Sequence, residues 1–323
     1  MKFKTLGRTG LQVSELCFGT MSFGGDANEE QSERMYKASL DAGINFFDCA
    51  DAYSTGKAET ILGKLMRSER DDLIITSKCF NPMRDDINAS GGNRRHILSA
   101  VEASLQRLGT DRLDVLFMHR WDAHVPLEET LRALEQLVSD GKVLYLGASN
   151  WSAWQIAKSL GISHMRGWPQ IDVIQPMYSL VKRQVESEIF PLAREENLGV
   201  IAYSPIGGGL LSGKYGTKTR PNAGRIMDKQ EYTDRYGEEW VFEVAEKFSA
   251  FAKEKGYHPV SLAVAWAAKH PDLTCPIIGA RSLEQLQRSL NSIEIIMDDD
   301  LHGEISALSR TPAAATDRRE EHL

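Results

Sequence analysis

Short apolar runs recur along the chain, and each ends near a polar residue or a glycine. They are LCFGT ending at Gly19-Thr20, INFFD at Asp48, LIITSK at Lys78, LDVLFMH at His119, VLYLGASN at Ser149-Asn150, IDVIQ at Gln175, GVIAY at Tyr203 and CPIIG at Gly279. Between them lie stretches with apolar residues at helical spacing: 28–43, 57–68, 93–109, 127–141, 152–161 and 185–199. Several close on a glycine just before the next run, as helix-to-strand connections favour. Continuous apolar strands alternating with amphipathic helices predict a parallel sheet covered on both faces. Eight such units in about 300 residues suit a (β/α)8 TIM barrel better than an open sheet. An open nucleotide-binding sheet would carry G-x-G-x-x-G after its first strand, whereas this one ends FGTMSFGG.

Three segments depart from the period. FKTL and QVSEL flank Gly7-Arg8-Thr9-Gly10, which predicts a small N-terminal β-hairpin over 1–16 acting as a plug. The barrel then occupies 17–297. The interval from Tyr203 to Gly279 is much longer than the others; it reads as a polar loop over 213–237, a helix over 240–256 and a second helix over 258–271. A long loop on the C-terminal face of a barrel is more often a lid than disorder. From Asp298 the pattern predicts one more helix and a frayed tail over 298–323. No internal boundary divides the chain, so 1–323 is expected to be one domain.

Composition narrows the function. The chain has 323 residues, 42% apolar and 26% charged, with a formal net charge of -7. An acidic balance argues against nucleic-acid and membrane-surface partners, which need a basic face. The longest apolar stretches are far short of a membrane span, and the N-terminal MKFKTLGRTG lacks the apolar core of a secretory signal. Four cysteines without a C-x-x-C pair suggest buried thiols in a reducing cytoplasm. The pattern says nothing about oligomeric state.

In a barrel, side chains at the carboxyl ends of the strands line the active-site face. Asp48, Lys78 and His119 therefore share one rim, with Tyr53 on the loop five residues after Asp48. Free tyrosine titrates too high to be an efficient acid at neutrality. A neighbouring lysine cation would lower that pKa, an aspartate would fix the lysine, and a histidine could orient a substrate oxygen. Each residue alone has a structural alternative: half of an ion pair, a core histidine, a rim aromatic. Their conjunction on one rim predicts proton transfer to a polarised carbonyl.

The motifs FFDCADAYSTGKAE, TSK at 78, MH at 119, GASN at 147–150, IQPMYS around Gln175, AYSPIGGGLLSGKY at 202–215 and IIGARSLEQL at 277–286 together resemble the aldo-keto reductase superfamily. The resemblance covers about 1–310 in family order and is nearest to bacterial branches similar to potassium-channel β subunits. It implies a (β/α)8 barrel with the hairpin closing its bottom, and hydride transfer from a nicotinamide to a carbonyl carbon. It implies Tyr53 as general acid, Lys78 and Asp48 as its pKa-lowering pair and His119 as orienting partner. Ser149, Asn150 and Gln175 would hold the carboxamide, Tyr203 would stack on the nicotinamide, and Thr20 and Met21 would border it.

Pyrophosphate recognition is expected from Ser204, Ile206, Gly208 and Leu210, with Lys214 contacting the dinucleotide. The segment 208–214 also fits G-x-x-x-x-G-K, but Tyr215 stands where a P-loop needs Ser or Thr for magnesium. Gly279 and Arg281 lie at the last strand end and the start of the following helix, where an arginine can grip a 2′-phosphate, which favours NADPH. Gln285 suits the adenosine, and Ser289 stands where many relatives have Asn. Met21, Phe23, Phe80 and Trp121, with Tyr53 and His119, are expected to contact a small carbonyl substrate; packing under loops is the alternative for the apolar four.

The expected activity is NADPH-dependent reduction of an aldehyde or ketone, with no metal. Two rivals remain at this level. One is a slow-turnover, redox-sensing dinucleotide-binding regulatory subunit. The other is a lyase or isomerase with Lys78 as a Schiff-base amine, disfavoured because an ammonium paired with Asp48 is a poor nucleophile.

Overall fold

A computed structural model describes residues 1–316, all but the last seven, on which part of the expected frayed tail falls. The chain opens with a two-stranded antiparallel hairpin, β1 (Phe3–Thr5) and β2 (Gln12–Ser14). Eight parallel strands follow: β3 (Cys17–Gly19), β4 (Phe46–Asp48), β5 (Ile74–Cys79), β6 (Leu113–Met118), β7 (Val143–Ser149), β8 (Ile171–Gln175), β9 (Gly199–Ala202) and β10 (Cys275–Ile278). They hydrogen-bond in sequence order, and β10 pairs with β3 to close a barrel. The fold is the expected (β/α)8 TIM barrel with an extra N-terminal hairpin.

Helices α1 (Glu29–Asp41), α2 (Lys57–Leu65), α3 (Arg94–Leu108), α4 (Leu127–Ser139), α5 (Ala153–Arg166) and α6 (Ile189–Glu195) return the chain between successive strands from β3 to β9. Caps set several of their ends. Asn28 and Asn93 accept from backbone amides at the starts of α1 and α3, and left-handed Gly109 and Gly167 close α3 and α5. One boundary corrects the sequence reading. Gly161 does not end α5; it is an exposed glycine inside the helix, which runs a further turn to Gly167.

The long β9–β10 interval also differs from expectation. Its polar stretch is not all loop. It contains two short helices, α7 (Arg225–Asp228) and α8 (Gln230–Tyr236), ahead of α9 (Glu239–Glu254) and α10 (Pro259–Lys269). Ile226, Tyr232 and Tyr236 are buried among many polar neighbours. So sparse an apolar stripe is below what periodicity can register. The chain finishes with α11 (Leu283–Leu290) and α12 (Asp299–Ser306).

Because side chains alternate across a strand, each run that looks uniformly apolar divides into two cores. Phe18, Phe47, Leu116, Met118, Ile174 and Val200 face the helices. Cys17, Phe46, Val115, Phe117, Val173, Ile201 and Cys275 fill the barrel. Leu6 and Val13 of the hairpin join that interior cluster from below. Arg8 fastens the plug, bonding Asp172 Oδ1 at 3.0 Å and Ile171 O at 2.8 Å. Gly7 lies so close to the barrel floor that a Cβ there would come within 2.1 Å of Gly199 N, at a φ of +52°. Only glycine fits.

Candidate active site

The same alternation selects which polar residues reach the open mouth. Asp48 shares the parity of Phe46, Lys78 that of Thr76, and Gln175 that of Val173, so all three point inward at the carboxyl-end layer. Asp48 and Lys78 are almost wholly buried and form an ion pair, Lys78 Nζ to Asp48 Oδ2 at 2.6 Å. Lys78 Nζ also donates to Cys49 O at 2.7 Å and to Tyr53 Oη at 3.2 Å, which uses all three ammonium protons. Asp48 Oδ1 accepts from Thr76 Oγ1 at 2.8 Å and from Gln175 Nε2 at 2.9 Å.

Tyr53 is carried to this pair by a tight turn after β4. Ser54 and Thr55 there have φ of 49° and 56°, a left-handed conformation unfavourable for residues with a Cβ. Tyr53 meets His119 edge-on, with ring centroids 6.2 Å apart. The phenol's pKa corrects the expectation: it is pushed up to about 12, because burial outweighs the lowering by Lys78. Lys78 itself is held above the ordinary lysine value. Burial opposes its charge, but Asp48 and Tyr53 more than compensate.

His119 is depressed to about 3 by burial, then by Lys78 and Arg120, and is neutral at physiological pH. Asn81 Nδ2 lies 3.3 Å from its Nδ1. With the amide donating there, the ring proton is assigned to Nε2, a donor for a substrate oxygen.

A cleft of about 780 Å³ opens over these residues. Its walls include Met21, Ser149, Asn150, Gln175, Tyr203, Ser204, Ile206, Gly208, Lys214, Gly279, Arg281, Gln285 and Ser289, gathered from five barrel strands and their loops. The volume lies in the range of cofactor sites. A Cβ at Gly209 would meet nothing within 4 Å, and one at Gly279 only Gly19 O at 3.7 Å, so parts of the wall are bare backbone. Cationic side chains and open backbone suit a phosphate-bearing ligand.

The matching family model, Aldo/keto reductase family, covers residues 15–310. The chain belongs to the aldo/keto reductase family. It is 37% identical over 313 residues to a Bacillus subtilis protein named an uncharacterized oxidoreductase, covering 93% of this chain and 94% of that one. It is 35% identical over 306 residues, 92% of each chain, to an Arabidopsis thaliana protein named a probable voltage-gated potassium channel subunit beta. An Oryza sativa protein of the same name is 34% identical over 304 residues, again 92% of each chain.

Several expected contacts of this aldo/keto reductase chain are not where the sequence suggested. Thr20 is wholly buried and its hydroxyl donates to Asp48 O at 3.0 Å, so it braces the strand end and does not face the cleft. Leu210 buries its side chain in the outer core, which leaves only its backbone amide, the group expected at the pyrophosphate, to serve there. Phe23 is also in that core, 5.8 Å from the Phe18 ring, because the loop after β3 folds back with Gly24 N–H donating to Ala27 O. Phe80 packs against the same core. Trp121 stands edge-on to Trp151 at 5.0 Å and Trp154 at 5.5 Å, beside a separate small cavity. Of the expected substrate contacts, Met21, Tyr53 and His119 line the cleft.

The polar groups are also more engaged than spacing suggests. Tyr203 Oη donates to Asn150 Oδ1 at 2.7 Å, and Asn150 Nδ2 donates to His119 O at 3.0 Å. Arg281 pairs with Asp26 at 3.0 Å. Sequence reasoning missed Arg120, Arg225, Arg235, Tyr232 and Arg288, all in the cleft wall. Basic residues in a long polar interval were the available signal; those on α8 were read as loop. It also missed Asp51. That carboxyl is wholly buried behind the pair, and neither oxygen makes a hydrogen bond of good geometry among the described residues. Its pKa is pushed up to about 7 by burial and by Glu59, against the opposing Ala52 N–H, Arg107 and Lys78.

Proposed function

We propose that this chain reduces aldehydes or ketones with NADPH, and that Tyr53 delivers the proton. The observation that carries the reading is the buried Asp48–Lys78–Tyr53 chain of hydrogen bonds beneath a cleft of dinucleotide size. When bound, the nicotinamide supplies the hydride that the chain cannot. Tyr53 faces the cleft beside the neutral His119, so a substrate oxygen could accept from both at once. The tyrosinate left after proton transfer is stabilised by Lys78, whose ammonium is held in place by Asp48.

Gln175 uses its amide nitrogen on Asp48, which leaves Oε1 to receive a carboxamide N–H; Ser149 and Asn150 sit beside it. Tyr203 offers a ring to stack on the nicotinamide. Ser204, Ile206, Gly208 and Lys214 are suited to the pyrophosphate, and the Leu210 backbone belongs to the same segment. Arg281 just before α11, with Gln285 and Ser289 within it, would take the adenosine end. A guanidinium there favours a 2′-phosphate and hence NADPH over NADH.

The test is NADPH and NADH oxidation against a panel of aldehydes, with Tyr53→Phe as control. The reading expects turnover with NADPH and a loss of roughly 100-fold or more in the variant, the size of a general-acid contribution. Turnover surviving in Tyr53→Phe would refute the acid assignment. The names of the plant relatives favour a second reading, a redox-sensing regulatory subunit. Fast steady-state turnover with rapid product release would exclude it.

A further inference from the structure

Six cationic side chains line the cleft, and they are not equivalent. Arg225 and Arg281 share Asp26, at 3.6 and 3.0 Å, and Arg288 pairs with Glu284. Lys214 follows the glycine-rich turn assigned to the pyrophosphate. Arg120 and Arg235 make no ion pair or side-chain hydrogen bond among the described residues. Arg235 lies over the Tyr232 ring at 5.1 Å, which orients it and leaves its charge unmatched.

Both unmatched arginines line the cleft, Arg120 at the proton-transfer end and Arg235 over Tyr232, whose ring packs on Gly208. Arg120 directly follows His119 and is among the charges that depress it. Both act on Tyr203, whose hydroxyl is linked through Asn150 to His119 O. The acidic groups in the wall offer no compensation there: Asp48 is committed to Lys78, and Glu231 on α8 pairs with neither arginine among the described residues. The proposed pyrophosphate and adenosine positions have cations of their own, Lys214 and Arg281. Two guanidinium forks in the wall of the cleft that holds the carbonyl site present the geometry that carboxylates and phosphates take bidentately.

We infer that the carbonyl substrate carries an anionic group, a carboxylate or a phosphate, and that Arg120 and Arg235 bind it. The inference rests on the carbonyl-reductase reading and deepens it. Approach of such a substrate would be electrostatically steered and hence salt-dependent.

The experiment compares kcat/KM within two matched pairs, succinate semialdehyde against butanal and glycolaldehyde phosphate against glycolaldehyde. It uses wild type, Arg120→Met, Arg235→Met and the double variant at low ionic strength. At least one charged-to-neutral ratio should reach about tenfold or more, the worth of a charge-assisted hydrogen bond. It should fall toward one in the double variant, and toward one in wild type as salt is added. The pair that shows it identifies the anion. Ratios near or below one in both pairs, or a ratio untouched by the double substitution, would overturn the inference.

If no aldehyde of either pair is reduced, the reductase reading fails instead. The anion site is then read directly, by quenching of tryptophan fluorescence with succinate, inorganic phosphate and neutral succinamide. Quenching by an anion but not by succinamide, lost in the double variant, upholds the site; no anion binding removes it.

Discussion

Burial decides the behaviour of the individual charges. Lys78 is wholly buried, and its ammonium is tolerable only because Asp48, Cys49 O and Tyr53 surround it. Asp48→Asn keeps the shape and removes the counter-charge. It should lower unfolding stability by about 3–5 kcal/mol in urea titration, the cost of stranding a buried ion. A loss below about 1 kcal/mol would show that Lys78 sheds its proton cheaply. Asp51 behaves oppositely. Its folded pKa is raised to about 7 from 3.8, so the folded chain keeps a proton that the unfolded chain has lost across that interval. Wild-type stability therefore falls as pH rises from about 4 to 7, by at most roughly 4 kcal/mol from this group. Asp51→Asn cannot titrate. Its thermal stability relative to wild type should improve from pH 4 to about pH 7 and then level off, and a difference constant with pH would refute the assignment.

That Asp48, Tyr53, Lys78 and His119 come together was legible in the sequence because strand ends in a barrel point to one rim. The sign of the Tyr53 shift was not. It depends on how completely the phenol is desolvated against how near Lys78 stands, and neither quantity is encoded in spacing. Phe23 and Thr20 were misjudged for a related reason: residues just past a strand end face either the mouth or the helix layer according to the loop's path. That path is held by backbone bonds such as Ala27 to Ser22, which leave no mark on hydrophobic pattern.

Elements were legible where their apolar faces are wide. The ambiguity lies at the glycines and in sparsely apolar helices. Gly161 reads as a helix end, yet α5 continues because Ile162 and Ser163 are buried on the next turn. A Cβ at Gly161 would meet nothing within 4 Å. Gly161→Ala should therefore stabilise the chain by about 0.5–1 kcal/mol, through backbone entropy alone. A loss of stability in thermal melts would show an unseen contact on that face. In α8, burial of Tyr232 and Tyr236 against the glycine-rich turn turns an otherwise polar segment into part of the cleft wall.

At the scale of the molecule, the hairpin and the mouth are opposite ends of one interior. Leu6 is wholly buried in the cluster that fills the barrel beneath the site. Leu6→Ala should cost about 2–5 kcal/mol, the transfer and cavity terms for a buried leucine. The measurement is chemical denaturation; a cost under about 1 kcal/mol would mean that the plug contributes little to the core. Among the described residues no helix is long and apolar enough to cross a membrane, so the apolar runs are spent on this closed barrel and its helical coat.

By itself the sequence determined the number and order of the strand–helix units, hence the barrel, and which strands end in Asp48, Lys78, His119 and Gln175. Those follow from local periodicity, which depends on near neighbours in the chain. The tertiary structure alone decided that Lys78 meets Asp48 and Tyr53 across strands, and, among the described residues, that Asp51 is buried without a good partner and that Arg120 and Arg235 line the cleft without an ion pair. These are contacts between residues 25 and 30 positions apart or states of solvation, and they come into being only when the barrel closes.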